Sequence, residues 1–238
     1  MSNLSCLVVC EGSSDFAFIE GIINKTAHER NVNISVKLIK PELDATSGKD
    51  VYEKFGYKGV ENWCRKQAIM LRTRGRNEIN TLAAFHNADL ILIHLDADIA
   101  DKIVLESHRF NGGMNERREW CARGIDLWLG TAKTAINFQY VIPTLQIETW
   151  LLATYDPDTF TGLFPEGISD YESITNVESL LLSMGYEEDK EKPGRLYKQK
   201  TLFENNVIYV PRLLRYIDKS TARCKELFNF KQLIENYC

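Results

Sequence analysis

The sequence predicts an α/β protein, with a mainly parallel sheet, helices on both faces and a helical C-terminal extension. Three observations predict it. "LSCLVVCEGSSDFAFI" reads as strand, tight turn and helix, and "ADLILIHLDAD" is apolar on both faces until Asp96, as suits a strand in the buried middle of a parallel sheet. Strand-like and helix-like segments also alternate over the first 155 residues.

In chain order, residues 4–10 form a β-prone run that Glu11-Gly12 breaks. Phe16, Ile19, Ile22, Ile23 and Ala27 then recur at the three- and four-residue intervals of an amphipathic helix. Ser13 or Ser14 can cap that helix, and Asp15 sits in its first turn, where negative charge is favoured. "NISVKLIK" alternates as a second strand that stops at Pro41, and "LDATSGKD" is a polar loop. Residues 57–85 read as helix, broken near Gly75, and lead into the apolar third strand. "NERREWCARGIDLWLGTA" suggests a further helix, "AINFQYVIP" a fourth strand halted by Pro143, and "TLQIETWLLATYD" a short helix capped by Thr144. Beyond these come turns, a helix at "NVESLLLSMGY", the exposed charged segment "EEDKEKPGRLYKQK" and C-terminal helices. The expected organisation is a core over 1–155 and a mostly helical extension over 156–238, packed together as one unit.

A chain of 238 residues with 44% hydrophobic and 26% charged residues is ordinary for a globular protein. No apolar run approaches the roughly 18–20 residues needed to cross a bilayer, and "MSNLSCLVVCEG" lacks the pattern of a secretion signal. No membrane association is expected, and the expected location is the cytoplasm. The six cysteines have no CxxC pairing, so they read as buried thiols rather than a zinc site or a disulfide framework. A net charge of −4 provides no global attraction for nucleic acid, which leaves that task to local patches.

In an open α/β sheet, chemistry collects beyond the carboxyl ends of the strands. Glu11 stands at the end of the first strand, and Asp96 and Asp98 at the end of the central one. If extended geometry persists, Asp96 and Asp98 point the same way and can share a hard cation such as magnesium. Taken alone, the same two acids read equally well as caps of the following helix, with Glu11 on a solvated turn.

The motifs "VVCEGSSDFAFI" and "LILIHLDAD", in this order, resemble the Toprim family of metal-dependent nucleic-acid enzymes. "PTLQIETWLLA" is similar to the glutamate-containing segment of its nuclease branch, which includes the overcoming-lysogenization-defect (OLD) nucleases and small phage-defence proteins. "YKQKTLF" and "CKELFNFKQLIENY" look like the ends of those small members. The resemblance implies a Toprim-like (Rossmannoid) core that cleaves phosphodiester bonds in RNA, tRNA included, or DNA, using magnesium or manganese. It also implies an effector of antiviral defence working beside a partner ATPase. Glu11 matches the family's acid/base or metal-bound glutamate, Asp96 and Asp98 its metal ligands, and Glu148 the extra acid of the nuclease branch. Lys200 is the candidate cation at the scissile phosphate, with Lys198 competing for the role. Asp15 and Asp101 are candidate supporting acids that also read as exposed helix-start residues. His94, two residues before Asp96, is a supporting candidate or a buried sheet histidine.

For the substrate path, Arg65, Lys66, Arg72, Arg74 and Arg76 occur with no acid between them, as a nucleic-acid-binding patch or a solvated helix face. Arg109, Arg117 and Arg118 make a weaker patch that reads as solvated helix. No GxxxxGK[ST] or GxGxxG occurs, so nucleotide hydrolysis would fall to another protein. Two other readings remain open: a non-catalytic binding or scaffold subunit, and a metal-dependent nucleotide phosphotransfer enzyme. A homo-oligomer is equally open.

Overall fold

The computed structural model describes residues 3–40, 56–133, 137–197 and 209–238. Four parallel strands form the central sheet in the order β2-β1-β3-β6: β1 (Asn3–Val9), β2 (Asn33–Lys40), β3 (Leu90–His94) and β6 (Asn137–Val141). A short antiparallel hairpin, β4 (Val104–Leu105) and β5 (His108–Arg109), lies apart from it. The predicted α/β class with a parallel sheet is therefore the observed one.

Strand alternation sorts the core into two layers. Cys6, Val8 and Cys10 of β1 and its extension join Leu90 and Leu92 of β3 on one face, while Leu7 and Val9 join Ile91, Ile93 and Leu95 on the other. The first face is covered by α1 (Ser13–Glu29), α5 (Glu148–Leu152), α6 (Val177–Ser183) and the C-terminal helices α7 (Val210–Arg215), α8 (Ile217–Arg223) and α9 (Lys225–Tyr237). The second is covered by α2 (Tyr57–Arg74), α3 (Glu78–His86) and α4 (Arg117–Leu129). Phe18, Ile19, Ile22 and Ile23 of α1 are all fully buried, and each such side chain contributes about 1.5–3 kcal/mol. Gly21 lets α7 approach α1, since a Cβ there would stand 2.6 Å from Val210 Cγ1. Arg30 and Glu235, 2.7 Å apart, tie the end of α1 to α9.

Several local expectations change. The α1 N-cap is Gly12, and Ser13 and Ser14 are buried in the first turn, because the chain turns one residue earlier than a serine cap requires. Thr144 does not cap α5; that helix starts at Glu148, after a connection pinned to the segment that follows β3. The third strand stops at His94, and a 3-10 helix, Ala97–Lys102, follows Asp96. The described cysteines are free thiols, five buried and Cys238 half-buried. No helix among the described residues is long and apolar enough to cross a membrane.

Candidate functional site

Successive connections leave β1 toward β2 on one side and reach β3 and β6 on the other, so the sheet's topological switch point lies between β1 and β3. Open α/β sheets bind ligands in the crevice beyond the strand ends at that point. Val9 pairs with Ile93, which places Glu11 and Asp96 beside each other just past the paired region.

A chain of hydrogen bonds joins three segments there. Glu11 Oε1 accepts the backbone N–H of Asp96 at 2.8 Å, and Asp96 Oδ1 accepts that of Ile147 at 3.0 Å. Two more backbone bonds, Leu95 N–H to Val141 O and Asp98 N–H to Leu145 O, zip the segment before Glu148 onto the segment after β3. Glu148, buried at the start of α5, acts electrostatically on Asp96. Gly56 closes the Glu11 side: its N–H donates to Glu11 O at 3.1 Å, and a Cβ would lie 3.4 Å from Glu11 Oε2. Its φ of +65° also disfavours any side chain.

The electrostatics follow from crowding acids in a poorly solvated crevice. Although part of Glu11 reaches solvent, desolvation, followed by the charges of Asp96 and Asp15, pushes its carboxyl up to about 8. Burial likewise raises Asp96 to about 6, against the lowering effect of His94. His94 is fully buried, with Nε2 3.4 Å from Asp96 Oδ1. Burial opposes its charge, but the Asp96 contact and the fields of Asp96, Asp15 and Glu11 prevail and raise it to about 9. The acids thus pull the imidazole toward its charged form, which offsets part of their repulsion. Beside them, burial pushes the Cys121 thiol up to about 12, with Glu11, Asp98 and Asp96 adding to the shift.

The structure brings Glu11, Asp15, His94, Asp96 and Glu148 together at the strand ends. Asp15 is only 4% exposed and acts on Glu11, Asp96 and His94, which corrects its reading as an exposed helix-start acid. It sits in the first turn of α1, where the spacing of "EGSSD" after the first strand places it. Asp98 departs from Asp96: extended geometry ends at Ala97, leaving Asp96 buried and Asp98 exposed at the rim. In a 3-10 helix positions i and i+3 share a face, so Asp98 aligns with Asp101 instead.

Asp101 is exposed and pairs with Arg117, whose guanidinium also donates to Ala97 O and Asp98 O at 2.9 Å each. Arg117 is thus a clamp on the turn that carries Asp98 rather than part of a solvated patch, with its side chain only 15% exposed. Arg118 turns the other way, to Glu226 of α9. Nothing in "RR" distinguishes the two, since the choice depends on where α4 docks. At the far end of α5, Arg212 bonds Thr154 and Arg223 bonds the carbonyls of Ala153 and Tyr155, so the C-terminal helices brace the element that begins with Glu148.

Of the proposed nucleic-acid residues, Arg65, Lys66, Arg72, Arg74 and Arg76 are all exposed. Because α2 starts at Tyr57, next to the Gly56 that lies beside Glu11, a rise of about 1.5 Å per residue carries Arg72 about 22 Å from that end along the helix axis. The basic stretch therefore runs away from the acids. Lys198 and Lys200 lie outside the described residues.

For a divalent cation, the all-oxygen set of Glu11, Asp96 and Glu148, with Asp98 at the rim, has the right donor chemistry, and raised carboxyl pKa values mark a place where added positive charge is favourable. Among the described residues no three His, Cys, Asp or Glu side chains are gathered at metal-holding distance. The donors fit a cation held by one or two carboxylates, with water or substrate oxygens completing its shell.

Comparison of the chain with protein-family models, curated proteins and solved structures finds no match in any of the three.

Proposed function

We propose that this chain is a metal-dependent nuclease of the Toprim kind, cleaving phosphodiester bonds in RNA or DNA with magnesium or manganese. The observation that carries the reading is the hydrogen-bonded convergence of Glu11, Asp96 and the segment leading to Glu148 at the sheet's switch point. Such a cation would polarise a phosphoryl oxygen and acidify a bound water. One or two of Glu11, Asp96 and Glu148 would hold it, Asp98 would meet it or the substrate at the rim, and His94 and Asp15 would set the charge of the carboxylates. The motif resemblance supports a role in antiviral defence beside a partner ATPase, in the cytoplasm.

A scaffold reading has one observation in its favour: Glu11 and Asp96 each spend an oxygen on a backbone N–H, which joins three connections of the fold. The test is incubation of the purified chain with either metal and with plasmid, tRNA and free nucleotides. Metal-dependent cleavage of a nucleic acid, lost in Asp96→Asn and Glu11→Ala, is the expected result. Full cleavage by those variants overturns the assignment of the site. Turnover of free nucleotides alone favours phosphotransfer, and no turnover with no metal binding by calorimetry favours the scaffold.

A further inference from the structure

The charges of this chain are segregated. Between Lys133 and Lys190 the sequence holds ten acidic residues and no Lys, Arg or His, although the whole chain has a net charge of only −4. The described part of that segment beyond α5 packs on the α1 side of the sheet, with Tyr171, Ile174, Val177 and Leu181 in that core. On the opposite side, α2 and α4 enclose a groove of about 430 Å³. Arg65, Ala68, Ile69 and Arg72 line it from α2 at positions i, i+3, i+4 and i+7, which form one stripe of a helix.

Two properties make this groove an unfilled surface among the described residues. Ile69 is 49% and Leu127 46% exposed, so aliphatic side chains stand between the arginines on the groove wall. Arg65 is answered by Glu61 at 2.9 Å, but Lys66, Arg72, Arg74 and Arg76 make no ion pair with any described residue. The groove asks for an occupant with both acids and apolar side chains. A nucleic acid would answer the arginines alone: single strands stack on exposed aromatic rings, and the groove's ring, Trp128, is buried.

The acidic segment of the same chain has the complementary chemistry. Asp158 and Glu166 are exposed and make no ion pair with a described residue, whereas Asp156 is answered by Lys219 and Arg223. Phe160, Leu163 and Phe164 lie between them, packed inward on Tyr155, Tyr171 and the α1-side core with only part of each side chain at the surface. Since groove and segment occupy opposite faces of the sheet, one molecule cannot join them. We infer that a second copy of this chain docks the Asp158–Glu166 segment into the α2/α4 groove, head to tail. Such an interface is heterologous, so each copy keeps one groove and one acidic segment available, and assembly proceeds to a ring or an open chain. The inference is independent of the chemistry at Glu11.

Sedimentation velocity of the full chain over a range of concentrations tests this. The expected result is concentration-dependent association that weakens at least tenfold between low and high salt, because exposed charges are screened. Arg72→Glu and Glu166→Arg, both exposed and expected to fold normally by circular dichroism, should each weaken association at least tenfold. Mixed together, they should recover association, since the intact groove of one accepts the intact segment of the other and the two reversed charges are again opposite in sign where they meet. A monomer at every concentration, association unaffected by either variant, or a mixture that stays monomeric overturns the inference. So does an Arg72→Glu protein that loses affinity for RNA or plasmid while its association is unchanged.

Discussion

The carboxylate of Glu11 accepts the backbone N–H of Asp96 at 2.8 Å, across 85 residues of chain. This bond ties the turn after β1 to the residue after β3 and holds two negative side chains in one crevice. The fold therefore needs Glu11 as an acceptor, while the crowded charges need a proton or a cation.

Those two roles separate by substitution. Glu11→Gln keeps an acceptor oxygen and removes a charge, so its metal-free thermal midpoint should equal or exceed that of the parent, while metal-dependent cleavage falls at least about a hundredfold. Glu11→Ala leaves the buried Asp96 N–H without its acceptor and should lose about 1–3 kcal/mol in urea unfolding. Equal melting of the two variants would show that the bond contributes nothing.

The pH dependence of the metal-free protein follows from three groups that hold protons more tightly when folded. Glu11 rises to about 8 and Asp96 to about 6, chiefly through burial, and His94 to about 9, against its burial, through Asp96 and its neighbours. Such groups contribute stability that is complete below their ordinary values and is lost as pH rises through the folded ones. The unfolding midpoint should therefore fall between about pH 6 and about pH 9. Saturating magnesium should flatten that fall, because a bound cation replaces the protons. A metal-free midpoint that climbs over this interval would contradict the crowded-acid account.

Arg117 holds the 3-10 helix through two carbonyls and Asp101. Arg117→Ala should cost about 1.5–3 kcal/mol, as hydrogen bonds from a charged group do, and speed amide exchange over Ala97–Lys102. Arg118→Ala removes a more exposed pair with Glu226 and should cost less than about 1 kcal/mol with no change in that exchange.

Gly21→Ala places a methyl 2.6 Å from Val210 Cγ1, where α7 crosses α1. Overpacking of this kind costs about 1–3 kcal/mol, measurable by chemical denaturation. Gly113→Ala, which meets nothing within 4 Å and has an ordinary φ of −78°, should be near neutral.

Much of this architecture is legible locally. The i, i+3, i+4 stripe of α1, the alternation of β2 up to Pro41 and the two-faced apolar run of β3 are patterns that a short window contains, because side-chain direction repeats every 3.6 or two residues. The strand-end positions of Glu11 and Asp96 follow from the same windows. The burial of Asp15, the exposure of Asp98 and the parts played by Arg117 and Gly56 were not legible in this way. Asp15 is the residue type of an exposed helix start, and only the packing of α1 against the β1 and β3 ends buries it. Asp98 changes sides because a 3-10 turn begins one residue earlier.

The amino-acid order by itself thus determined the α/β class, the parallel sheet and the acids that end its central strands. Tertiary structure alone decided which acids share the crevice, which arginine clamps its rim, and that the basic stretch of α2 runs away from it. The physical reason is range: helix and strand periodicities are set by neighbouring residues, whereas the bonds from Glu11 to Asp96 and from Asp96 to Ile147 span 85 and 51 residues and exist only once the sheet has its order and register.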